Sequence, residues 1–169
     1  HISVLLNESI EGLNIKPNGI YVDATLGGGG HSLEILKKLD KGHLYAFDQD
    51  EEARNYSENI LKKVGDNFTI IPSNFVNLKE ELEKRGINKV DAVLFDLGVS
   101  SPQLDDKSRG FSFHNDARLD MRMDTDSDFS AYELVNQYNY QELVRVLRDY
   151  GEEKYASSIA KNIIKTREV

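Results

Sequence analysis

Hydrophobic and polar positions along the chain fall into two alternating patterns. Four short runs, 19–24, 43–48, 68–72 and 90–96, are apolar and rich in β-forming residues, and they predict strands. Between them, apolar residues recur at helical spacing. In 31–39 the residues Leu33, Ile35, Leu36 and Leu39 share a face, and Gly42 closes the segment. A charged helix is expected over about 51–64 and another over 78–85, stopped by Gly86. From 98 to 128 the periodicity fades into a long polar loop carrying Phe111, Phe113, Met121 and Met123. Loops of that length inside compact domains are usually functional or disordered. Helical patterns return over 131–136, 140–150 and 152–166, with Gly151 breaking the last two apart. No internal repeat or low-complexity tract is visible.

Strands alternating with helices of this length predict βαβ units, a parallel sheet and the α/β class. Right-handed crossovers then bring ligands to the carboxyl ends of the strands. Polar residues gather at those ends: Asp23 and a glycine run after the first strand, Asp48 after the second, Ser73-Asn74-Phe75 after the third and Asp96 after the fourth.

The bulk numbers narrow the class. The 169 residues suffice for one ordinary domain with a core, and 39% hydrophobic with 30% charged residues is a soluble, globular balance. No apolar run approaches the roughly 18–20 residues of a membrane span, and no signal peptide precedes His1. The absence of cysteine excludes disulfides and thiolate metal sites and suits a cytoplasmic setting. A net charge of −8 argues against a surface that clings to nucleic acid everywhere, while leaving room for a local basic face. The chain opens on His1 rather than methionine and stops at Val169 inside a helical pattern, so both ends are expected to be trimmed.

The densest chemical signal is Tyr21-Val22-Asp23-Ala24-Thr25-Leu26 running into Gly27-Gly28-Gly29-Gly30-His31. Four consecutive glycines between a strand and a helix remove every Cβ from the turn, which suits a ligand lying against bare backbone at a helix N-terminus. Asp48 lies 21 positions after Gly27, near the offset at which an acid meets ribose hydroxyls in Rossmann-type sites. A carboxylate accepts both hydrogen bonds of a vicinal diol; the plainer reading is a helix cap, for which Asp50 is better placed. The dinucleotide fingerprint is not met, because its third glycine falls on Ser32 or Leu33. S-adenosylmethionine carries the same adenosine without a pyrophosphate, tolerates a looser glycine pattern and favours carboxylates for its sulfonium and ammonium. Asp23 and Asp96 are candidates, with a strand-end hydrogen bond as the alternative for Asp23. Phe75 either covers the adenine or fills core, and Gln103 bonds a ligand or sits in a surface turn.

These residues carry a specific resemblance. The blocks Asp23-Ala24-Thr25 through Gly28-Gly29-Gly30-His31-Ser32, Asp48-Gln49-Asp50, and Phe95-Asp96-Leu97-Gly98-Val99-Ser100-Ser101-Pro102-Gln103-Leu104-Asp105 closely resemble the bacterial ribosomal RNA small-subunit methyltransferase H family, also called MraW. The similarity continues through Arg109-Gly110-Phe111-Ser112-Phe113, Leu119-Asp120-Met121-Arg122-Met123-Asp124 and Tyr150-Gly151-Glu152-Glu153. The resemblance implies a class I Rossmann-like methyltransferase fold interrupted by an inserted helical domain that helps hold RNA. It implies S-adenosylmethionine as cofactor and methylation of the N4 amine of one 16S ribosomal RNA cytidine near the decoding centre. The implied cofactor contacts are Gly29, Gly30, His31, Asp48, Phe75, Asp96 and Gln103. Family members continue for a comparable length, so residues 1–104 are expected to be a half-core that binds the cofactor. Residues 105–169 would be the loop and first helices of the insertion, and this stretch alone is expected to be inactive.

A cytosine amine is a poor nucleophile because its lone pair is delocalised into the ring, so the reaction calls for in-line alignment more than activation. Asp96, or a carbonyl within 98–101, is the candidate acceptor for the target amine. Phe111 and Phe113 either stack on an extruded base or pack the loop. Arg109, Arg118 and Arg122 are candidate phosphate contacts, with salt bridges to Asp116, Asp120 and Asp124 as the plain alternative. Two other classes compete: a non-catalytic RNA-binding or assembly module, and a nicotinamide oxidoreductase weakened by Ser32 and Leu33.

Overall fold

The computed structural model describes residues 3–167, which divide into two compact units between Ser100 and Ser101. The first unit holds helix α1 (Leu6–Gly12), strand β1 (Ile20–Asp23), α2 (Gly30–Lys38), β2 (His43–Phe47), α3 (Glu51–Leu61), β3 (Phe68–Ile71), α4 (Leu78–Glu83) and β4 (Ala92–Leu94). The strands form one parallel sheet in the order β3-β2-β1-β4, with β1 paired to both β2 and β4 (Val22 opposite Tyr45 and Val93). Placing β1 in the centre while the chain winds outward on both sides is the Rossmann-like arrangement, and it brings all four carboxyl ends to one edge.

Two apolar layers explain why the strands read as continuous hydrophobic runs. Tyr21, Leu44 and Ala46 face a core that Ile10 of α1, Ile35 and Leu36 of α2 and Leu61 of α3 complete. Their neighbours Val22 and Phe47 point the other way, into a second cluster with Ile71 and Leu82 of α4. Both faces of the sheet are therefore covered, as parallel sheets require.

The elements differ from expectation where local chemistry intervenes. The strand expected over 90–96 shrinks to Ala92–Leu94, because β4 pairs on one side only and the Asp96 amide leaves the ladder to bond Thr25 Oγ1 at 2.7 Å. Helix α1, not expected from the sequence, buries Ile10. Asp50 caps α3 by accepting from the Glu52 amide, as its position suggested.

In the second unit the segment expected to be featureless contains α5 (Ser101–Asp105), with Pro102 tolerated in its first turn, and a short 3₁₀ turn, Lys107–Arg109. Helices α6 (Ala131–Gln137) and α7 (Tyr140–Arg145) both start from capping boxes, Ser130 with Glu133 and Asn139 with Glu142. After α7 the chain widens into a π turn, Val146–Tyr150. Helix α8 (Ala156–Arg167) begins later than the sequence suggested because Glu152 adopts a left-handed φ of 51°, which a helix cannot include. Arg167 returns to donate to the Val135 and Tyr138 carbonyls at the end of α6. Among the described residues no helix is long and apolar enough to cross a membrane.

Candidate functional site

The turn after β1 is built on hydrogen bonds that hold its backbone and leave one face bare. Asp23, almost fully buried, accepts from the Thr25 amide (3.1 Å) and from the Ser32 hydroxyl (2.7 Å), tying the strand end to the first turn of α2. Burial drives its carboxyl above the ordinary range, opposed by those two donors and by nearby His31. The strand-end reading of Asp23 therefore holds, and its carboxylate is not turned to solvent.

Gly27 and Gly29 adopt left-handed φ values of 49° and 75°. The Gly27 amide donates to Asp48 Oδ2 at 2.8 Å, and its carbonyl accepts from Ser57 Oγ at 2.7 Å. A Cβ on Gly29 would stand 2.9 Å from that same Ser57 oxygen. Gly28 differs: it is exposed, and a Cβ there would meet nothing within 4 Å. Two of the glycines thus answer to the fold, whereas nothing in this unit explains Gly28. Gly30 opens α2 with the Ser3 side chain directly beside the place of its missing Cβ.

Asp48 follows β2 and is half-buried. Its Oδ1 accepts from the Asp50 amide (2.9 Å) while Oδ2 holds Gly27, which leaves each oxygen a second lone pair. Burial raises its pKa, partly offset by the two amides. Arg54 donates to the Asp48 carbonyl rather than to its carboxylate.

Beyond β3, Asn74 bonds Gln49 and caps the turn that carries Phe75. Phe75 is 39% exposed and meets Phe95 edge-on, with centroids 5.5 Å apart and planes at 88°. It does not fill the core; two half-open rings stand together beyond the ends of β3 and β4. Asp96 lies just past β4 with its side chain 48% exposed, and Oδ2 is 3.7 Å from His31 Nδ1. His31 is buried, and its Nε2 donates to the Val4 carbonyl at 3.1 Å.

Six expected positions, Gly29, Gly30, His31, Asp48, Phe75 and Asp96, thus gather along the carboxyl edge of one sheet through a connected set of hydrogen bonds and close contacts. Gln103 belongs to the second unit, where it is buried on α5. Thr25, Ser57, Phe95 and the Val4 carbonyl escaped the sequence reading. Ser57 is a lone small polar residue in a charged helix, and a carbonyl has no sequence signature; Thr25 and Phe95 adjoin the signalled Asp23 and Asp96.

In the second unit the three arginines proposed for phosphate are engaged within that unit, Arg109 and Arg122 in their own loop and Arg118 with helix α6. Arg109 is buried, with Nη2 on the Arg122 and Met123 carbonyls. Arg122 grips Asp120 with two parallel bonds of 2.9 and 2.7 Å, which lowers the aspartate's pKa. Arg118 reaches Glu133 at 3.3 Å and lies over the Tyr132 ring, yet its side chain remains 66% exposed. Phe113 is 92% exposed and Phe111 half-buried. Among the described residues no cluster of histidines and acids suits a metal ion.

The whole chain, residues 1–169, matches the MraW methylase family. It belongs to that family. Ribosomal RNA small subunit methyltransferase H of Exiguobacterium sibiricum is 62% identical over 169 residues, all of this chain and 54% of that protein. The corresponding methyltransferase H 1 of Acholeplasma laidlawii is 61% identical over 167 residues, 99% of this chain and 56% of its own length. This MraW chain therefore spans about half the length of the curated relatives it matches. A solved rRNA methylase from Streptococcus thermophilus is 28% identical, with a TM-score of 0.48 over 58% of this chain and 57% of its own. So partial a likeness leaves the Rossmann-like assignment of the MraW chain to its own sheet order.

Proposed function

We propose that this chain is the donor-binding part of an S-adenosylmethionine-dependent methyltransferase acting on the N4 amine of a 16S ribosomal RNA cytidine near the decoding centre. The carrying observation is the carboxyl edge of the sheet, where the Asp48 carboxylate holds the bare glycine turn and Asp96, pinned to Thr25 through its amide, presents a half-open carboxylate. These residues fit the donor. Asp48 keeps one free lone pair on each oxygen for the two ribose hydroxyls, and Gly28 allows close backbone approach. Phe75 offers a half-exposed face to the adenine, and Asp96 offers negative charge to the ammonium or sulfonium. Gln103 is assigned to the same contacts on the family's pattern alone. When bound, the donor supplies an electrophilic methyl group on a positively charged sulfur.

The chain's own residues then supply position. Asp96, or a carbonyl within 98–101, accepts an N–H of the cytosine amine, which turns the nitrogen lone pair toward the methyl group; such alignment is worth up to roughly 7–11 kcal/mol. Asp96 is suited to this because its amide is pinned to Thr25 while its carboxylate faces solvent. Residues 105–169 are assigned to the opening of an inserted helical domain that helps hold RNA. Exposed Phe113 and Arg118 are its stacking and phosphate candidates, and a cytoplasmic setting follows from such a substrate.

Differential scanning of the chain with S-adenosylmethionine and with NAD tests the reading, since a ligand bound only by the native state raises the midpoint by mass action. A rise with the methyl donor alone is expected. A rise with NAD alone would revive an oxidoreductase, and no rise with either would favour a non-catalytic RNA-binding module. In the full-length protein, Asp96→Ala should abolish most methyl transfer to small-subunit RNA; near-normal turnover removes Asp96 from the catalytic role.

A further inference from the structure

Residues 3–5, ahead of α1, reach the donor turn. The Val4 carbonyl accepts from His31 Nε2 at 3.1 Å, and the Ser3 hydroxyl occupies the space a Cβ on Gly30 would need. Leu5 takes a left-handed φ of 48° to enter α1, where Leu6 and Ile10 root this short strap in the core. A carbonyl only accepts, so Nε2 must carry the proton, and Nδ1 is the nitrogen turned to Asp96 Oδ2 at 3.7 Å. Nδ1 then has two states: a lone pair that gains nothing from the carboxylate, or a charged N–H that pairs with it. The ring is 5% exposed while the Asp96 side chain is 48% exposed, so a ligand arriving from solvent reaches the acid and not the imidazole. Asp96 faces His31 Nδ1, the buried Asp23 of β1 also interacts with the ring, and Asp48, after β2, acts on Asp23.

Resting on the donor-site reading above, we infer that His31 is a positioning residue: the strap fixes Nε2 so that Nδ1 serves as counter-charge to Asp96 until a cationic ligand takes that place. The incoming positive charge repels the Nδ1 proton, which passes to bulk water, and neutral His31 leaves the carboxylate to the ligand. One charge replaces another on a single acid. Proton and donor therefore compete.

Calorimetric titration of the full chain at about pH 5.5 and about pH 7.5 tests this, comparing S-adenosylmethionine with 5′-methylthioadenosine, which keeps the adenosine and loses the sulfonium charge and the charged amino-acid end. Raising the pH removes the proton that competes with the donor, so donor affinity is expected to rise more than the analogue's, by at most about tenfold per pH unit for one released proton; Asp48 meets the ribose of both compounds and moves both alike. In His31→Gln the amide keeps a donor near the Nε2 position and nothing at Nδ1. Donor and analogue affinities should then follow pH in parallel, because Asp23 and Asp48 act on both, so the lost difference isolates His31. Should that variant not fold, ¹⁵N spectra of the wild-type ring read the same exchange: at the lower pH the donor removes the Nδ1 proton and leaves Nε2–H in place. Donor affinity that merely follows the analogue's in the wild type, a donor–analogue difference that persists in His31→Gln, or ring signals unchanged by the donor overturn the inference while donor binding stands. If neither compound binds at either pH, the donor site itself fails and the inference with it.

Discussion

Replacing Gly28 and Gly29 one at a time separates what the fold needs from what a ligand needs. Gly29 sits at φ 75°, where a side chain costs about 1–2 kcal/mol, and its Cβ would press on Ser57 Oγ at 2.9 Å and Ser57 Cβ at 3.0 Å. Ser57 has no room to yield, because it is fully buried and its hydroxyl holds the Gly27 carbonyl. Overpacking of that kind adds about 1–3 kcal/mol, while the stiffer unfolded chain returns about 0.4–1 kcal/mol. Gly29→Ala should therefore destabilise the first unit by about 1–4.5 kcal/mol. Gly28→Ala meets open space and no left-handed φ, so its stability should stay within about 0.5 kcal/mol of wild type. If backbone approach is why position 28 lacks a side chain, the same variant should lose at least about tenfold in affinity for S-adenosylmethionine, or 1.4 kcal/mol. Urea unfolding and calorimetry on the two variants supply both readouts. Gly28→Ala with wild-type affinity would refute the ligand-loop argument, and Gly28→Ala as unstable as Gly29→Ala would refute the reading of the turn.

Asp23→Ala orphans the Thr25 amide and the Ser32 hydroxyl and should cost about 2–4 kcal/mol. Asp23→Asn keeps an acceptor for Thr25 and lets the serine hydroxyl reverse, so it should cost less. Because burial raises the native Asp23 pKa, its native state binds the proton more tightly than the unfolded chain. Wild type should then lose stability relative to Asp23→Asn as pH rises from the ordinary carboxylate range through the raised value, and urea unfolding across pH that shows the opposite trend would contradict the assignment. Thr25→Val removes the acceptor of the Asp96 amide and should cost about 1 kcal/mol of stability by urea unfolding. Asp48→Asn sets an NH₂ against a backbone donor and removes the charge offered to the ribose. Calorimetry should show at least about a tenfold loss for both S-adenosylmethionine and 5′-methylthioadenosine, and equal affinity would take the ribose role from this residue.

How much of this was legible depends on whether a feature acts through side-chain pattern or through backbone. The four strands were visible because both sheet faces are buried, which turns Tyr21-Val22 or Ala46-Phe47 into uninterrupted apolar pairs. Strand-end acids were visible for the same reason: polar residues immediately after such runs have nowhere else to go. The pattern failed where a stretch is short or where two periodicities fit. Helix α1 and its C-cap place Leu6, Ile10 and Leu13 at helical spacing, yet the apolar residues just ahead of the helix obscure that spacing. Helix α5 hides behind Pro102, which reads as a breaker although it is harmless in a first turn.

The sequence pattern points to the glycines and acids at the strand ends, whereas the structure adds partners that hold them there. Ser57 reaches Gly27 from α3, Thr25 reaches the Asp96 amide across the sheet, and the Val4 carbonyl fixes the His31 ring from outside the strand pattern. Each is a small residue or a backbone atom whose value comes from where the fold delivers it. This division has a mechanical consequence. The acids are held through their backbone or through a single bond on each oxygen, which leaves lone pairs and charge available; Asp23, bonded in the same way but almost fully buried, is the exception that anchors the rest. A turn whose geometry is fixed from behind presents its bare face with little reorganisation on binding, and that preorganisation is what a cofactor lying against backbone requires.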